Sequence, residues 1–316
     1  MTKSLRIVFM GTPGFAVASL DILHQSNHHV VGVITAADKP AGRGRKLQTS
    51  AVKKYALENN IGVLQPTNLK DDSFNKELQE LEADLFVVVA FRMLPEVVWK
   101  LPKFGTFNLH ASLLPQYRGA APINWALING ETETGITTFF IDEKIDTGAI
   151  IYQEKTMISS EDTAGSLHDK LMLQGGALIL KTVNDIAAGI AQTTIQPTSK
   201  NLKTAYKLNQ DNTKISWDAS PSVITDLIRG LNPYPGSWCQ YDNQKTIQRV
   251  KIYKVKPSEP KIALSPGHLI IKDKHILVGT QENALEIEEL QMPGKRKMTA
   301  KELLNGYNFP ENSKLF

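Results

Sequence analysis

The first 150 residues alternate short apolar runs, rich in β-branched residues, with amphipathic segments of helical length. The run Asp84–Ala90 has no polar residue in its interior, as expected for a central strand covered on both faces. Strands separated by helices of this length pair in parallel through crossover connections. The sequence therefore predicts an α/β fold with a doubly wound, mostly parallel sheet. The predicted strands are Leu5–Met10, Val30–Thr35, Gly62–Leu64, Asp84–Ala90, Ile136–Phe140 and Ala149–Tyr152, and the predicted helices include Ala51–Asn59 and Thr163–Ala188.

The composition changes after residue 190. Residues 191–208 are polar and predict a linker, whereas residues 209–316 carry short apolar runs broken by proline and glycine. This pattern is typical of a small β-barrel, so we expect an OB-like barrel in residues 209–316 and a first domain in residues 1–190. Residues 1–206 hold equal numbers of basic and acidic residues, so the net charge of +4 belongs to the later part of the chain. A basic appendage favours a polyanionic partner, although a solvated lysine-rich surface has the same composition.

The single cysteine, Cys239, excludes an intrachain disulfide and a thiolate metal cluster, which suits a reducing cytosol. The N-terminal apolar run ends at Gly11, too early for a secretory signal peptide. The longest apolar stretch, Leu85–Phe91, is far shorter than a membrane span. We therefore expect a cytoplasmic protein without a membrane partner.

The segment Gly11–Ala16 follows the first predicted strand, where a dinucleotide fold places its phosphate-binding turn. Pro13 stands where that fingerprint has its second glycine, and proline offers no N–H to a pyrophosphate. The segment therefore argues against a nicotinamide-dependent oxidoreductase. Asp38, beyond the second strand, is the one feature that retains this alternative.

Asn108 and His110 lie two residues apart at the end of a predicted strand, so their side chains point to the same side of the sheet. Ligands of α/β sheets bind beyond the carboxyl ends of such strands. Acyl transfer needs hydrogen-bond donors for an oxyanion and a group that moves a proton, and an amide beside an imidazole can supply both. A histidine satisfied within the core would give the same short pattern.

The segment Asp142–Gly148 predicts a turn between two strands. Asp146 in this turn could orient the histidine and stabilise its protonated form, as the acid of a catalytic triad does. An aspartate that caps its own turn is the simpler alternative. The triplet Asp146–Gly148 also matches the aspartic proteases, but those enzymes need two such loops in an all-β fold.

Taken in order, the motifs of this chain resemble those of the methionyl-tRNA formyltransferase family. The resemblance covers nearly the whole chain. It rests on the segments Gly11–Ala16, Lys39–Leu47, Asn108–Pro122, Asp146–Gly148 and Asn232–Gly236. Two positions depart from the family pattern, since Gly14 replaces an acidic residue and Phe91–Pro95 is one residue shorter than a common form.

The resemblance implies a Rossmann-like formyltransferase core that transfers a formyl group from 10-formyltetrahydrofolate to the amino group of methionyl initiator tRNA, without a metal. By the same resemblance Asn108, His110 and Asp146 are the catalytic residues, with Asn108 and protonated His110 binding the oxyanion. We expect the enzyme to act as a monomer. The implied folate residues are Ser112, Leu113, Leu114, Pro115, Arg92, Met93, Leu94 and Asp142.

Two basic segments are candidates for contact with tRNA. Lys39, Arg43, Arg45 and Lys46 place four cations within eight residues, and Pro40 with two glycines disfavours a strand or helix there. This segment resembles the tRNA-contacting insertion of the family. Arg249 and Lys251 share one face of a predicted strand with Tyr253, which predicts a basic and aromatic RNA-binding face. Ordinary solvated surface is the alternative for both segments.

Two relatives with the same transfer chemistry remain as alternatives. An enzyme that formylates an aminosugar nucleotide should lack the basic segment Lys39–Leu47, and one that formylates glycinamide ribonucleotide should lack the second domain. A nicotinamide-dependent oxidoreductase and a non-catalytic RNA-binding module are the alternatives from other classes. The RNA-binding module would have no need of Asn108, His110 and Asp146 together.

Overall fold

The computed structural model of the chain describes residues 3–41, 46–198 and 201–316. The chain divides into two compact units. The first unit consists of Met1–Pro122, Glu133–Met157 and His168–Thr204, and the second consists of Ile123–Thr132, Ile158–Leu167 and Ala205–Phe316. Two segments from the first 190 residues, Ile123–Thr132 and Ile158–Leu167, therefore belong to the second unit. The domain boundary that we expect after residue 190 stays a prediction.

A seven-stranded sheet forms the centre of the first unit, with the strand order β10-β9-β7-β6-β1-β2-β5. The neighbouring strands from β7 to β5 pair in parallel. β9 pairs antiparallel with β7 on one side and with β10 on the other. The predicted mostly parallel, doubly wound sheet is confirmed. The strands of this unit are β1 (Arg6–Gly11), β2 (His29–Ile34), β3 (Lys39–Ala41), β4 (Lys46–Gln48), β5 (Val63–Leu64), β6 (Leu85–Val89), β7 (Thr106–His110), β8 (Arg118–Gly119), β9 (Glu133–Phe140), β10 (Ile150–Met157) and β11 (Thr204–Ala205, at the boundary).

Two helices of the first unit begin at polar caps. Ser50 accepts a hydrogen bond from the N–H of Lys53 and starts α2, and Asp71 accepts two from the first turn of α3. The long helix α6 places its regularly spaced leucines in the core, as its periodicity predicts. The helices are α1 (Gly14–His24), α2 (Ala51–Glu58), α3 (Asp72–Glu80), α4 (Glu96–Trp99), α5 (Pro122–Ile128) and α6 (Ala164–Ala187).

Helix α6 covers one face of strand β7 at very short range. A Cβ atom added to Gly175 would lie 2.6 Å from Leu109 Cδ2, so a larger residue there would force the Leu109 side chain to move. Because successive side chains of a strand point to opposite faces, Asn108 and His110 lie on the other face from Leu109. The packing of α6 therefore fixes the strand whose opposite face carries the predicted catalytic pair.

The basic segment near residue 40 contradicts the expectation that no strand forms there. β3 and β4 pair antiparallel, with Lys39 opposite Gln48. Asp38 and Lys53, which flank the hairpin, form a salt bridge of 2.5 Å, and Gln65 hydrogen-bonds to both side chains. The proline lies in a two-stranded ribbon, where an edge strand tolerates a missing N–H.

The second unit is built on an antiparallel sheet with the order β14-β15-β16-β13-β12-β18, while β17 pairs with β16. A single bridge, His268 to Lys314, joins the two ends of this order. Within residues 205–316, all described by the structure, no sheet closes, so the OB-like barrel is not confirmed. The elements are α7 (Pro221–Leu231), β12 (Ser237–Asp242), β13 (Ile247–Pro257), β14 (Leu269–Lys272), β15 (His275–Val278), β16 (Leu285–Gln291), β17 (Met298–Thr299), α8 (Ala300–Leu304) and β18 (Lys314–Leu315), with a 3₁₀ turn at Asp211–Thr213.

The core of the second unit consists of apolar side chains from α7, α8, the sheet and the segment before α7, among them Trp217, Ile228, Tyr241, Ile252 and Leu290. Cys239 is fully buried there, and burial raises the pKa of its thiol to about 12. Among the helices that the structure describes, none has the length and apolarity needed to cross a lipid bilayer.

Candidate active site

Strand β7 carries Asn108 and His110 at its carboxyl end. β6 lies beside it in parallel, and His110 faces Thr137 of β9 across the antiparallel pair. The Asn108 side chain is half-buried and makes no hydrogen bond to any residue that the structure describes. Its amide is therefore available to a ligand at the edge of the sheet where α/β folds bind ligands.

His110 is buried, with only 6% of its surface exposed. Its Nε2 lies 2.8 Å from the carbonyl oxygen of Tyr117. A carbonyl only accepts hydrogen bonds, so we assign a hydrogen to Nε2 in both protonation states of the ring. Nδ1 is then the nitrogen that can take or release a proton. Tyr117 adopts a left-handed backbone conformation, with φ of 60°, that is uncommon for a residue with a side chain.

Asp146 lies next to the nitrogen of His110 that exchanges the proton. Its Oδ2 is 3.8 Å from His110 Nδ1, which is an ion-pair distance when the ring is charged and too long for a direct hydrogen bond. The same oxygen accepts a hydrogen bond of 2.8 Å from the N–H of Gly119. Asp146 also has left-handed backbone, with φ of 56°. The structure thus places His110 and Asp146 at ion-pair distance, with Asn108 two residues before His110 on the same strand.

The segment after His110 is held by side chains of the neighbouring strands. Ser112 is fully buried, and its hydroxyl donates to the carbonyl of Gln116. The Thr137 hydroxyl donates to the Ser112 carbonyl at 2.6 Å, and Gln153 donates to the carbonyl of Leu114 at 2.8 Å. Leu114 packs into the core against Phe139 and Ile150. Among the predicted folate residues, Leu113 and Pro115 are half-buried, whereas Ser112 and Leu114 face the interior.

The segment after β6 contains the other predicted folate residues. The guanidinium of Arg92 donates to the carbonyls of Pro66 and Thr67, and burial lowers the pKa of Arg92 below its usual value. Met93 is 66% exposed, and Leu94 is buried in the core. Arg92, Met93 and Leu94 line a groove of about 950 Å³ whose other lining residues are Thr67, Asn68, Leu69, Lys70, Pro95, Glu96, Val97 and Lys100.

Asp142, which the resemblance places among the folate residues, caps its own loop. Its Oδ1 accepts hydrogen bonds from the N–H of Lys144 and the hydroxyl of Thr147. The carboxylate therefore stabilises the turn that presents Asp146.

The predicted tRNA residues lie in different settings. Lys39 is exposed in β3, Lys46 belongs to β4, and Arg43 and Arg45 lie outside the described residues. In the second unit the guanidinium of Arg249 lies 4.0 Å from the ring centroid of Trp238. Lys251 instead donates to the carbonyl of Pro235 at 2.6 Å, and Tyr253 is buried. Arg249 thus pairs with Trp238, and the ring of Tyr253 instead lies 4.9 Å from the ammonium of Lys297.

Several residues that complete the site escape sequence reasoning. Thr137 and Gln153 shape the segment after His110, and the carbonyl of Tyr117 holds the ring. Gln196 hydrogen-bonds to the backbone of Asp146 and Gly148. Tyr117 lies inside a motif that the sequence singles out, but a backbone carbonyl leaves no signal in the residue type. Gln196 lies in the polar segment that predicts only a linker.

The comparisons with known proteins agree with this geometry. Residues 5–183 match the formyl transferase family, and residues 207–308 match the formyl transferase C-terminal domain. The chain belongs to the formyl transferase family. This formyl transferase is 54% identical to a methionyl-tRNA formyltransferase of Flavobacterium johnsoniae, over 99% of this chain and 100% of the relative. It is 47% identical to a methionyl-tRNA formyltransferase of Bacteroides fragilis, over 99% of this chain and 98% of the relative.

A solved structure shares the fold of this formyl transferase at low identity. It is an N-formyltransferase from Helicobacter canadensis in complex with folinic acid and dTDP-3-aminofucose. The TM-score is 0.65 and the identity 23%, over 90% of this chain and 98% of the other. A likeness at this identity shows the fold and does not identify the acceptor substrate.

Proposed function

We propose that this protein transfers the formyl group of 10-formyltetrahydrofolate to the amino group of methionyl initiator tRNA. The observation that carries the proposal is the convergence of the unbonded Asn108 amide, His110 Nδ1 and the Asp146 carboxylate at the end of β7. The relatives at 54% and 47% identity, which match this chain over nearly its whole length, support this choice of acceptor over an aminosugar nucleotide. The reaction would take place in the cytoplasm, where tRNA is charged, and the monomeric state stays a prediction.

The proposed reaction needs one nucleophilic attack and one departure. The amino nitrogen attacks the formyl carbon and forms a C–N bond, while the carbonyl electrons move to oxygen. The Asn108 amide and the N–H of His110 Nδ1 donate hydrogen bonds to that oxyanion. Asp146 stabilises the positive charge of the ring in this state. The carbonyl then re-forms, the bond to N10 of the folate breaks, and N10 leaves with a proton that originates from the amine.

The groove beside Arg92 suits the formyl donor. Folate joins a flat aromatic part to a glutamate tail, and the groove combines exposed apolar atoms of Met93 and Val97 with the cations Lys70 and Arg92. Lys70 forms no ion pair with any residue that the structure describes. We propose that this cation faces the carboxylates of the tail, because charge-assisted contacts are the stronger hydrogen bonds.

The direct test is an assay with 10-formyltetrahydrofolate and initiator tRNA charged with methionine. We expect acid-stable formylmethionine on the tRNA and release of tetrahydrofolate in equal amounts. Free methionine and an amino-deoxysugar nucleotide are the parallel acceptors. Formylation of the sugar nucleotide without formylation of the charged tRNA would contradict the proposal.

The basic segment Lys39–Lys46 should serve the tRNA and leave the folate unaffected. Loss of one charge-assisted arginine contact to phosphate costs about 1.5–3 kcal/mol, roughly 10- to 100-fold in affinity. Arg43→Ala should therefore lower kcat/KM for charged tRNA by about that factor, while the KM for formyl-folate stays within about twofold. The control is Lys76→Ala, an exposed cation on α3. Equal small effects of the two substitutions would mean that the segment is an ordinary solvated surface.

A further inference from the structure

Gln196 lies in the polar segment that follows α6 in the first unit, yet only 5% of its surface is exposed. Its Nε2 lies 2.9 Å from the carbonyl oxygen of Asp146 and 2.8 Å from that of Gly148. One amide group therefore spans the turn that presents the Asp146 carboxylate. Surface linkers seldom bury an amide, so this side chain has a specific task.

The orientation of the Gln196 amide is determined by Arg118. The Nε and Nη2 atoms of Arg118 lie 3.1 Å and 2.6 Å from Gln196 Oε1. Arginine has only donors, so the oxygen must face Arg118 and the NH₂ group must face the two carbonyls. All four contacts are then satisfied. A reversed amide would place two donors against Arg118 and one acceptor between two acceptors.

The residue that follows Arg118 holds the other end of Asp146. The N–H of Gly119 donates to Asp146 Oδ2, while Gln196 holds the Asp146 carbonyl. Asp146 has a left-handed backbone that costs energy for a residue with a side chain. The turn therefore needs contacts from outside its own sequence to keep this conformation.

We propose that Gln196 is a positioning residue for the transfer reaction, which fixes Asp146 against His110 Nδ1 and is itself oriented by Arg118. The proposal rests on the proposed function, because it acts through the catalytic carboxylate. Gln196 touches no reacting atom. Its removal should let the turn relax and move the carboxylate away from the ring.

Lys203, seven residues after Gln196, contacts the residue that holds the His110 ring. The N–H of Tyr117 donates to the carbonyl of Lys203 at 2.7 Å, and the Tyr117 carbonyl accepts from His110 Nε2. Gln196 thus contacts Asp146 directly, and Lys203 contacts Tyr117, whose carbonyl holds the ring of His110.

The first test compares Gln196→Ala with Gln196→Glu. Glutamate keeps an acceptor for Arg118 but loses the NH₂ group, so both variants lose the two contacts to the turn. We expect each to lower kcat by about 10- to 100-fold, since a shift of about 1 Å at a catalytic group has this size. The KM for formyl-folate should stay within about twofold. A near-native kcat for Gln196→Glu would overturn the proposal, whether or not Gln196→Ala folds.

A double-mutant cycle separates positioning from general stability. If Gln196 acts through Asp146, adding Gln196→Glu to Asp146→Asn should lower kcat by less than about threefold further. Two independent effects would multiply instead, and that result would overturn the proposal. The matched control is Gln174→Ala, a half-buried glutamine that accepts a hydrogen bond from Thr156. It should leave kcat within about twofold.

The same assays distinguish this inference from the proposed function. One outcome is that the wild-type protein formylates charged tRNA, His110→Ala is inactive and Gln196→Glu keeps its activity. This outcome would contradict only the positioning role of Gln196. Wild-type protein without formylation of charged tRNA would remove the proposed function. In that case the unfolding temperature of Gln196→Glu and the cycle with Asp146→Asn, measured on the acceptor that is formylated, would still decide the role of Gln196.

Discussion

Replacement of His110 by alanine should lower kcat by about 10²- to 10⁴-fold, the usual contribution of a positioned group that moves a proton. The substitution removes Nδ1, the nitrogen that faces Asp146, and so removes both an oxyanion donor and the site of the positive charge. It also removes the hydrogen bond between the ring and the Tyr117 carbonyl, and loss of this buried bond should lower the free energy of unfolding by about 1–3 kcal/mol. Single-turnover formylation at a temperature well below unfolding measures the chemical effect alone.

A second buried histidine provides the control for this experiment. His28 is 3% exposed, accepts a hydrogen bond from the N–H of Leu5 and bonds Asn184 through its other nitrogen. His28→Ala should lower the unfolding free energy by a similar amount and leave kcat of the folded protein unchanged. If both variants kept near-native turnover, His110 would be a structural histidine and the proposed mechanism would be wrong.

The central sheet could be predicted because its signals are local. The apolar run at Leu85–Val89 and the helical spacing in α6 each come from one continuous segment, and burial confirms both. The pairing of β3 with β4 could not be predicted because proline and glycine disfavour strands on average, and the pairing of the two strands leaves no signal in either one alone. The barrel was expected from strand count, but closure depends on the pairing of its end strands, which here share one bridge.

The proposed catalytic trio could be suggested from the sequence because its residue types carry their chemistry and its motifs resemble those of the family. The supports of the trio could not, because they act through the backbone. The carbonyl of Tyr117 holds His110, the N–H of Gly119 holds the Asp146 carboxylate, and Gln196 holds the Asp146 carbonyl. Only the tertiary structure brings these groups together, since Gln196 lies 50 residues from Asp146 along the chain.

One of these supports and one member of the trio have left-handed backbone. Tyr117 and Asp146 have φ of 60° and 56°, and each makes a hydrogen bond to a group of the site. Such conformations persist only where the surroundings hold them, and they concentrate at functional sites. Gly148, two residues after Asp146, is the position in this turn where the backbone of Phe140 leaves no space for a side chain.

Gly148→Ala should disturb catalysis more than its size suggests. A Cβ atom there would lie 1.7 Å from the carbonyl oxygen of Phe140, a backbone atom at the end of β9 that cannot move without disrupting the sheet. The turn must shift instead, and with it the Gly148 carbonyl that Gln196 holds. We expect the unfolding free energy to fall by about 1–3 kcal/mol, as for other overpacked sites, and kcat to fall by about 10²-fold through displacement of Asp146.

The matched control is Gly62→Ala, because a Cβ added to Gly62 meets no atom within 4 Å. That substitution should leave both quantities within experimental error. Thermal unfolding and formylation of charged tRNA, measured on the two variants side by side, test the prediction. Since alanine at residue 148 leaves Asn108, His110 and Asp146 in place chemically, a large loss of kcat would have to come from geometry. An active Gly148→Ala protein with native stability would mean that the turn tolerates displacement, and that the 3.8 Å separation of His110 Nδ1 from Asp146 Oδ2 does not control the rate.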